Sequence, residues 1–288
     1  VLIYEKTIDA CFRACSLSLQ GIYGSSEADE MAGWLFEDLF HIKRAMIRLQ
    51  QRNLTAAELN KLNKQLRRLL AHEPIQQVLG YSFFRTLKLH VNRHTLIPRP
   101  ETEELVGHAL ELSCSFSKPP VMIDIGTGSG CIAIALKHEM SKASVFALDV
   151  SKRALQVART NADKYRADVH FINGNFLSGK VMESLPMVDI IVSNPPYITM
   201  TEWKDLDLHV RDFEPVKALI VPDDDALIYY KQLASYARIQ KQVWLLAEVH
   251  ETYADATANL MEQMGGMNTV LINDMQRKPR IVKTFFRK

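Results

Sequence analysis

The sequence predicts an α/β protein: a mostly parallel sheet covered by helices on both faces, preceded by a small helical domain. Three observations predict it. From Val121 onward, short apolar runs alternate with helical patterns. Before Pro74 there is no proline, glycines are few, and apolar residues recur at three and four. Between these regions the period changes to two, as in a hairpin. The 288 residues fit about two domains at roughly 150 residues each.

The helical region reads as follows. From Ser26, taken as a cap, Met31, Leu35, Leu39 and Ile42 keep helical spacing with Trp34 beside them. The acids Glu27, Asp29 and Glu30 sit in that first turn, where the helix dipole favours them. Thr55 and Glu58 form a capping box ahead of Leu59, Leu62, Leu66, Leu69 and Leu70. Pro74 opens a short segment that Gly80 closes. Between Lys43 and Arg68 eight basic residues stand against one acid, Glu58. Such a run is either a solvated helix face or a docking face for an acidic or RNA-bound partner.

Phe83, Arg85, Leu87, Leu89 and Val91 alternate, with a turn expected at Asn92-Arg93 before Leu96-Ile97. The expected domains are a helical unit over 1–80, a hairpin linker over 81–98 and a catalytic unit over 99–288. Pro98 to Glu103 leads into a helix reaching Leu112, and 113–120 is a loop. Strands are expected at 121–125, 145–148, 169–172, 188–192, 243–247, 269–272 and 280–285. Helices are expected at 131–137, 154–164, 227–237 and 253–264.

Composition excludes several classes. Hydrophobic residues make up 47% and charged residues 24%, which is neither disordered nor fibrous. The net charge of +2 argues against coating nucleic acid through bulk charge. Cys11, Cys15, Cys114 and Cys131 have no metal or disulfide spacing and read as reduced, packing cysteines of a cytosolic protein. The nine histidines show no metal-binding motif, so no metal is expected. No apolar run is long enough to span a membrane, and no secretory signal is visible.

Two motifs carry chemistry. Asp124-Ile125-Gly126-Thr127-Gly128-Ser129-Gly130-Cys131 follows an apolar strand and opens a helix. Its glycines allow a tight turn and close approach of a ligand. The spacing is not that of a dinucleotide fold, and no P-loop Lys-Ser/Thr follows. Asp149 ends the next strand, where a carboxylate can accept both hydroxyls of a ribose. Together they suit a nucleoside lacking a pyrophosphate. The second motif is Asn194-Pro195-Pro196-Tyr197 after the run 188–193. Two prolines fix the backbone and leave carbonyls free to accept. The Asn oxygen and a proline carbonyl make a rigid acceptor pair for a planar NH2 group, on which Tyr197 could stack.

These motifs resemble class I methyltransferases that use S-adenosylmethionine on planar nitrogen. The resemblance narrows with Glu73-Pro74-Ile75-Gln76-Gln77-Val78-Leu79-Gly80, Leu96 to Val106, Asp124 to Gly130, Asn194 to Ile198 and Phe213-Glu214-Pro215. In order and spacing these are similar to the HemK/PrmC family over essentially the whole chain. The resemblance implies a seven-stranded methyltransferase sheet. It also implies N5-methylation of the glutamine in the Gly-Gly-Gln motif of class 1 peptide chain release factors. It puts Gly126, Thr127, Gly128, Ser129 and Gly130 around the methionine part of S-adenosylmethionine and Asp149 on the ribose. Asn175 and Phe176 fall beside the adenine, in place of a common Asp-Trp pair. Asn194, Pro195, Pro196 and Tyr197 hold the substrate glutamine, and Asn194 also touches the cofactor. Catalysis is expected from Asn194, Pro195 and Tyr197.

For Arg99 and Glu101 the resemblance offers a pocket wall, and the bland alternative is an ion pair that fixes the domain junction. The loop 199–225 is expected to face the substrate. The expected enzyme is a monomer of a bacterial-type cytoplasm, with an organelle as the alternative, and with no nucleic-acid substrate and no membrane partner. The rival readings are a ribosomal-protein glutamine methyltransferase, a nucleic-acid adenine N6-methyltransferase and a non-catalytic adaptor.

Overall fold

The structure, a computed structural model, describes residues 2–50 and 52–288. Two compact units emerge. One comprises Val1–Gly80 with Leu208–Phe213, the other Tyr81–Asp207 with Glu214–Lys288.

The first unit holds α1 (Ile8–Tyr23), α2 (Ser25–Phe40), α3 (Arg44–Ile47), α4 (Ala56–Leu70) and α5 (Ile75–Leu79). Thr7 caps α1 by accepting from the Ala10 amide. Ile8, Cys11, Phe12, Cys15 and Leu19 recur at helical spacing and are buried against Leu35, Phe36, Leu62 and Leu66. Gly24, not Ser26, is the N-cap of α2. Its φ of 73° lets the chain reverse directly from one helix into the next, and Ser26 becomes an ordinary helical residue. The Thr55–Glu58 capping box forms as expected. Asn63 holds Ile3 through two hydrogen bonds of 2.8 and 3.0 Å, tying the N-terminal segment to α4.

Much of the basic run is consumed inside this unit. Arg44 and Arg48 reach Asp29, and Arg52 pairs with Glu58 at 2.9 Å. Arg68 grips Glu73 at 2.6 Å and also donates to the carbonyls of Gln77 and Val78. It thereby fastens the end of α4 to α5.

The second unit begins with the hairpin β1 (Tyr81–Phe84) and β2 (Leu87–His90). Its turn lies at Arg85-Thr86, where Arg85 takes a positive φ of 51°, and not at Asn92-Arg93. Phe84, Leu87 and Leu89 are buried in the same cluster as Leu105, Ile132 and Val145. The hairpin therefore belongs to the core of this unit and is not a free linker. There follow α6 (Pro100–Ser113), β3 (Val121–Ile125), α7 (Cys131–Glu139), β4 (Ser144–Asp149), α8 (Lys152–Tyr165) and β5 (Val169–Asn173). Next come α9 (Gly179–Ser184), β6 (Ile190–Ser193), β7 (Ile198–Thr199), α10 (Met200–Trp203) and β8 (Ile220–Val221), while α11 (Leu208–Arg211), between α10 and β8 in the chain, belongs to the first unit. The chain closes with α12 (Ile228–Ile239), β9 (Gln242–Glu248), α13 (Ala254–Gln263), β10 (Met267–Asn273) and β11 (Pro279–Arg287).

Seven strands form one sheet in the order β10-β11-β9-β6-β3-β4-β5. The five from β9 to β5 are parallel, and β11 and β10 complete an antiparallel edge. One apolar cluster takes in α6 and α7 on one face, and another takes in α12 and α13 on the other. All seven expected strands and all four expected helices of this region are present within a few residues. The short α9 has no sequence signature, because Gly179-Lys180-Val181-Met182-Glu183-Ser184 buries no residue and carries no periodic stripe. The sheet turns back on itself beside β3. The chain leaves β3 toward β4 and β5, then returns to pair β6 on its other side, so a crevice opens at the carboxyl ends of β3 and β6.

Gly130 carries much of the packing at that turn. Its φ is 83°, and an added Cβ would lie 2.8 Å from Ile134 Cδ1 and 3.1 Å from Ala158 Cβ. Gly130→Ala is expected to destabilise this unit by about 2–4 kcal/mol, combining backbone strain and overpacking. A calorimetric Tm indistinguishable from that of the parent chain would contradict this.

Candidate functional site

A cavity of about 350 Å³ lies in the second unit at the carboxyl ends of the parallel strands. Its floor comes from Gly126 and Gly128 after β3, Asp149 at the end of β4, and Asn175 and Phe176 after β5. Asn194, Pro195 and Pro196 after β6 form one wall. The sequence-predicted residues from four strand ends thus converge here, as expected where parallel strands all end on one edge.

The glycine turn contributes backbone and not side chains. Thr127 and Ser129 are buried, and the Thr127 hydroxyl donates to Asp124 Oδ2 at 2.6 Å. Neither they nor Gly130 line the cavity, so the direct contact that the resemblance implies for these three is not seen. The alternation along the loop explains this: Gly126 and Gly128 line the crevice, while Thr127 anchors the turn through Asp124 and Ser129 is buried. Asp124 itself is fully buried, and burial pushes its carboxyl up to about 7 against the opposing hydrogen bond from Thr127.

Asp149 is oriented from two sides. Its Oδ2 accepts from the Gly128 amide and its Oδ1 from the Ser151 amide, both at 2.8 Å. Burial raises its pKa, and these two amides oppose the rise. Each oxygen keeps a lone pair for a ligand hydroxyl. Asn173 belongs to no motif in the sequence. Its Nδ2 donates to the carbonyls of Asp149 and Val150 and so shapes the strand end from which Asp149 projects.

Phe176 is buried, with its ring set edge-on to Tyr236, so it offers a fixed apolar surface. The Asn175 Oδ1 accepts from the Leu177 amide at 3.1 Å, leaving its NH2 to donate.

Asn194 donates from Nδ2 to the Thr102 hydroxyl at 3.0 Å. Ser193, just before it, donates to the Ile125 carbonyl at 2.7 Å and locks β6 to β3 where both strands end. Tyr197 departs from expectation. It does not line the cavity, its hydroxyl donates to Glu248 at 3.3 Å, and its ring tilts against His250. Burial first, and then the neighbouring Glu248, raise its pKa well above the usual tyrosine range.

Other wall residues belong to no motif either. Arg93, His94, Thr95 and Leu96 come from the stretch read as a hairpin turn, and Arg153, Tyr229 and Leu233 come from helices or their flanks. No local pattern marks them, since only the tertiary fold brings them to the crevice.

The loop 199–225 is partly ordered structure. β7 pairs with β8, and the Tyr197 and Ile198 amides both donate to the Leu219 carbonyl, closing its base. Pro215 to Ala218 line the cavity. An ion pair does form at Arg99: its partner is Glu214, whose side chain is fully buried and whose Oε2 also accepts from the Ile97 amide at 3.1 Å. This clasp joins the Leu96 wall to the Pro215 wall.

A family model described as "Methyltransferase small domain" matches residues 109–213, and one described as "PrmC N-terminal domain" matches residues 12–80. A "Release factor glutamine methyltransferase" of Flavobacterium psychrophilum is 36% identical over 275 residues, covering 94% of this chain and 96% of that protein. Its namesake in Bacteroides thetaiotaomicron is 34% identical over 268 residues, covering 92% and 95%. The chain belongs to the release factor glutamine methyltransferase family. Among solved structures, the hMettl16 catalytic domain in complex with an RNA hairpin aligns with a TM-score of 0.52 at 12% identity. That alignment covers 83% of this chain and 84% of that one, and shows the shared fold alone. Among the described residues, no group of three or more His, Cys, Asp or Glu side chains could hold a metal ion. No helix among them is long and apolar enough to cross a membrane.

The Arg99–Glu214 clasp sets a measurable expectation. Glu214→Ala leaves the Ile97 amide and the partly buried guanidinium without their acceptor. A loss of about 2–4 kcal/mol is expected from breaking such a buried pair, with Arg99→Ala costing at least as much, because it leaves the fully buried Glu214 carboxylate without its counter-charge. Urea unfolding of the two variants tests both the size and the order.

Proposed function

We propose that this protein methylates the side-chain amide nitrogen of the glutamine in the Gly-Gly-Gln motif of class 1 peptide chain release factors, using S-adenosylmethionine. The observation that carries the reading is the Asn194-Pro195-Pro196 wall beside the Gly126–Gly128 turn, in a chain whose full-length relatives bear that activity in their names.

The cavity fits the methyl donor on this chain's own features. Gly126 and Gly128 present no side chain there, Asp149 presents a carboxylate, and Phe176 presents an apolar ring surface. Asp149 would hold the ribose hydroxyls, and Phe176 and Asn175 would flank the adenine. When bound, S-adenosylmethionine supplies an electrophilic methyl group on sulfonium sulfur.

An amide nitrogen is a poor nucleophile, because its lone pair is delocalised into the carbonyl. The protein's task is therefore positioning and charge stabilisation. Asn194 Oδ1 and the Pro195 carbonyl each accept one N–H of the glutamine amide and hold its plane fixed. They also favour the positive charge that develops on nitrogen as it is alkylated. No side-chain base is required, because the proton is far more acidic after transfer than before. Tyr197, bound to Glu248, supports this wall from behind and does not stack on the substrate.

The helical unit is proposed to grip the body of the release factor, and the enzyme to act as a monomer in a bacterial cytoplasm. With Arg44, Arg48, Arg52 and Arg68 engaged in ion pairs, the exposed Lys61 and Lys64 on α4 are the better candidates for that grip.

A labelled methyl-transfer assay tests the reading against release factor, a Gly-Gly-Ala variant of it, ribosomal protein and DNA. Label is expected in release factor only, and label in ribosomal protein or DNA instead would overturn the assignment. Asn194→Ala is expected to lower kcat by at least about 100-fold, the scale of losing an electrostatic contact at the reacting atom. Its cofactor affinity should stay within about ten-fold, one hydrogen bond's worth. Charge reversal at Lys61 and Lys64 should raise KM for whole release factor several-fold while leaving kcat alone. An unchanged KM would remove α4 from the grip.

A further inference from the structure

Behind the Asn194 wall lies a buried polar chain. Thr102, in the first turn of α6, and Glu248, the last residue of β9, are each 2% exposed. The Thr102 hydroxyl donates to Glu248 Oε2 at 2.7 Å and accepts from Asn194 Nδ2 at 3.0 Å. Glu248 Oε1 accepts from the Tyr197 hydroxyl at 3.3 Å, and the Glu248 main-chain carbonyl accepts from the Tyr230 hydroxyl at 2.9 Å. Both carboxylate oxygens thus receive donors. Burial raises the Glu248 pKa, while the Thr102 hydrogen bond and Arg280 nearby favour the charged form.

The direction of these bonds follows from counting protons. A carboxylate only accepts, and a hydroxyl has one proton to give. The Thr102 proton is spent on Glu248, so the Thr102 oxygen can only accept from Asn194. Asn194 must therefore turn its NH2 to Thr102, and its Oδ1 is the amide atom left for the cavity. Without this constraint the two ends of an amide are nearly alike in shape and can exchange places. An exchanged Asn194 would meet the substrate NH2 with its own NH2, donor against donor.

We infer that Glu248 is a positioning residue which, through the Thr102 hydroxyl, fixes the Asn194 side chain with its acceptor oxygen toward the substrate amide. The inference rests on the proposed role of Asn194 and extends it to two residues that touch no reacting atom. It makes the polarity of the wall a property of three side chains, one from α6, one from the end of β6 and one from β9.

Exchanging donors and acceptors along the chain tests this. In Glu248→Gln the new NH2 can donate to Thr102, releasing the Thr102 proton toward Asn194. Asn194 then turns its oxygen inward, and kcat is expected to fall by about 10- to 100-fold, the usual scale for a supporting shell, with KM and cofactor affinity less affected. Thr102→Val is expected to fall similarly, and Thr102→Ser to keep at least about ten-fold more activity than Thr102→Val.

The decisive variant is the double one. In Asn194→Asp alone, the introduced carboxylate faces a hydroxyl with no proton to give. In Asn194→Asp combined with Glu248→Gln, the introduced glutamine donates to Thr102 and Thr102 donates to the introduced aspartate, restoring a fixed acceptor. The double variant is expected to exceed Asn194→Asp in kcat by at least about ten-fold, although each change alone is harmful. A purely structural role for Glu248 predicts additive losses, and additive losses would overturn the proposal.

A readout free of any substrate separates this from the functional reading. In the ¹⁵N-labelled full chain, the Asn194 NH2 resonance, assigned by its loss in Asn194→Asp, should shift in Glu248→Gln and Thr102→Val. An unmoved resonance refutes the relay. A shifted resonance in a chain that fails to methylate release factor refutes the functional reading instead.

Discussion

Everything at the site hangs on the pairing of β3 with a parallel strand on either side. Met122 to Ile125 register against Val145 to Leu148 on one flank and Ile190 to Ser193 on the other. These strands are buried on both faces, so burial alone does not choose their register and contacts at the strand ends must fix it. The pairing is locked at both ends. Asp189 exchanges hydrogen bonds with Val121 where the strands begin, and Ser193 reaches the Ile125 carbonyl where they end. With β3 and β6 held level, the turns that leave them must emerge together. The glycine turn and the Asn194 wall face one crevice for that reason.

That arrangement carries a cost in buried polarity. Asp124 is fully buried, with the Thr127 hydroxyl and the Ala133 amide opposing the rise that burial imposes on its carboxyl, and the Ser129 hydroxyl is buried beside Cys131. Buried polar groups weaken a fold unless such partners offset their desolvation. Both lie directly beneath the glycine turn, the part of the site with the least freedom in its backbone. The surrounding apolar clusters on both faces of the sheet are large enough to hold the turn in place regardless. Glu248 and Thr102 likewise find partners. Their desolvation is offset locally, and the outcome is a defined direction of hydrogen bonding next to Asn194.

Local patterns were legible in the sequence, and long-range pairings were not. Val121 to Ile125 reads as a strand because five residues in a row are compatible with a buried sheet. Gly126 to Gly130 reads as a turn because glycine tolerates positive φ, and Asn194 to Tyr197 reads as a wall because proline removes donors. Thr55 and Glu58 disclose their capping box at a spacing of three. By contrast, Arg99 and Glu214 are 115 residues apart, and Thr102 and Glu248 are 146 apart. Neither separation leaves a trace in periodicity, so the sequence suggests an ion pair at Arg99 without disclosing Glu214 as its partner. The loop residues Thr127 and Ser129 depart from expectation for a different reason. A motif names a stretch of chain, whereas alternation within it decides which side chains reach the ligand. The hairpin turn lies at Arg85-Thr86 instead of Asn92-Arg93 because Arg85 adopts a left-handed conformation that its residue type does not advertise.

The choice of asparagine at the wall follows from the same accounting of protons. A carboxylate there would accept from an NH2 group strongly, but it would also place a negative charge beside a sulfonium. Such a charge would attract the bound cation as much as the transition state, and uniform attraction does not raise kcat. It would also stand one hydroxyl away from the Glu248 carboxylate, and two carboxylates so close in a buried site do not both stay ionised. A neutral amide avoids both penalties, yet it brings its own ambiguity, since either end can face the ligand. Proline carbonyls have no such ambiguity, because they carry no donor at all. Of the two acceptors in the wall, only Asn194 needs to be told which way to turn, and it is the one with a buried chain of hydrogen bonds behind it.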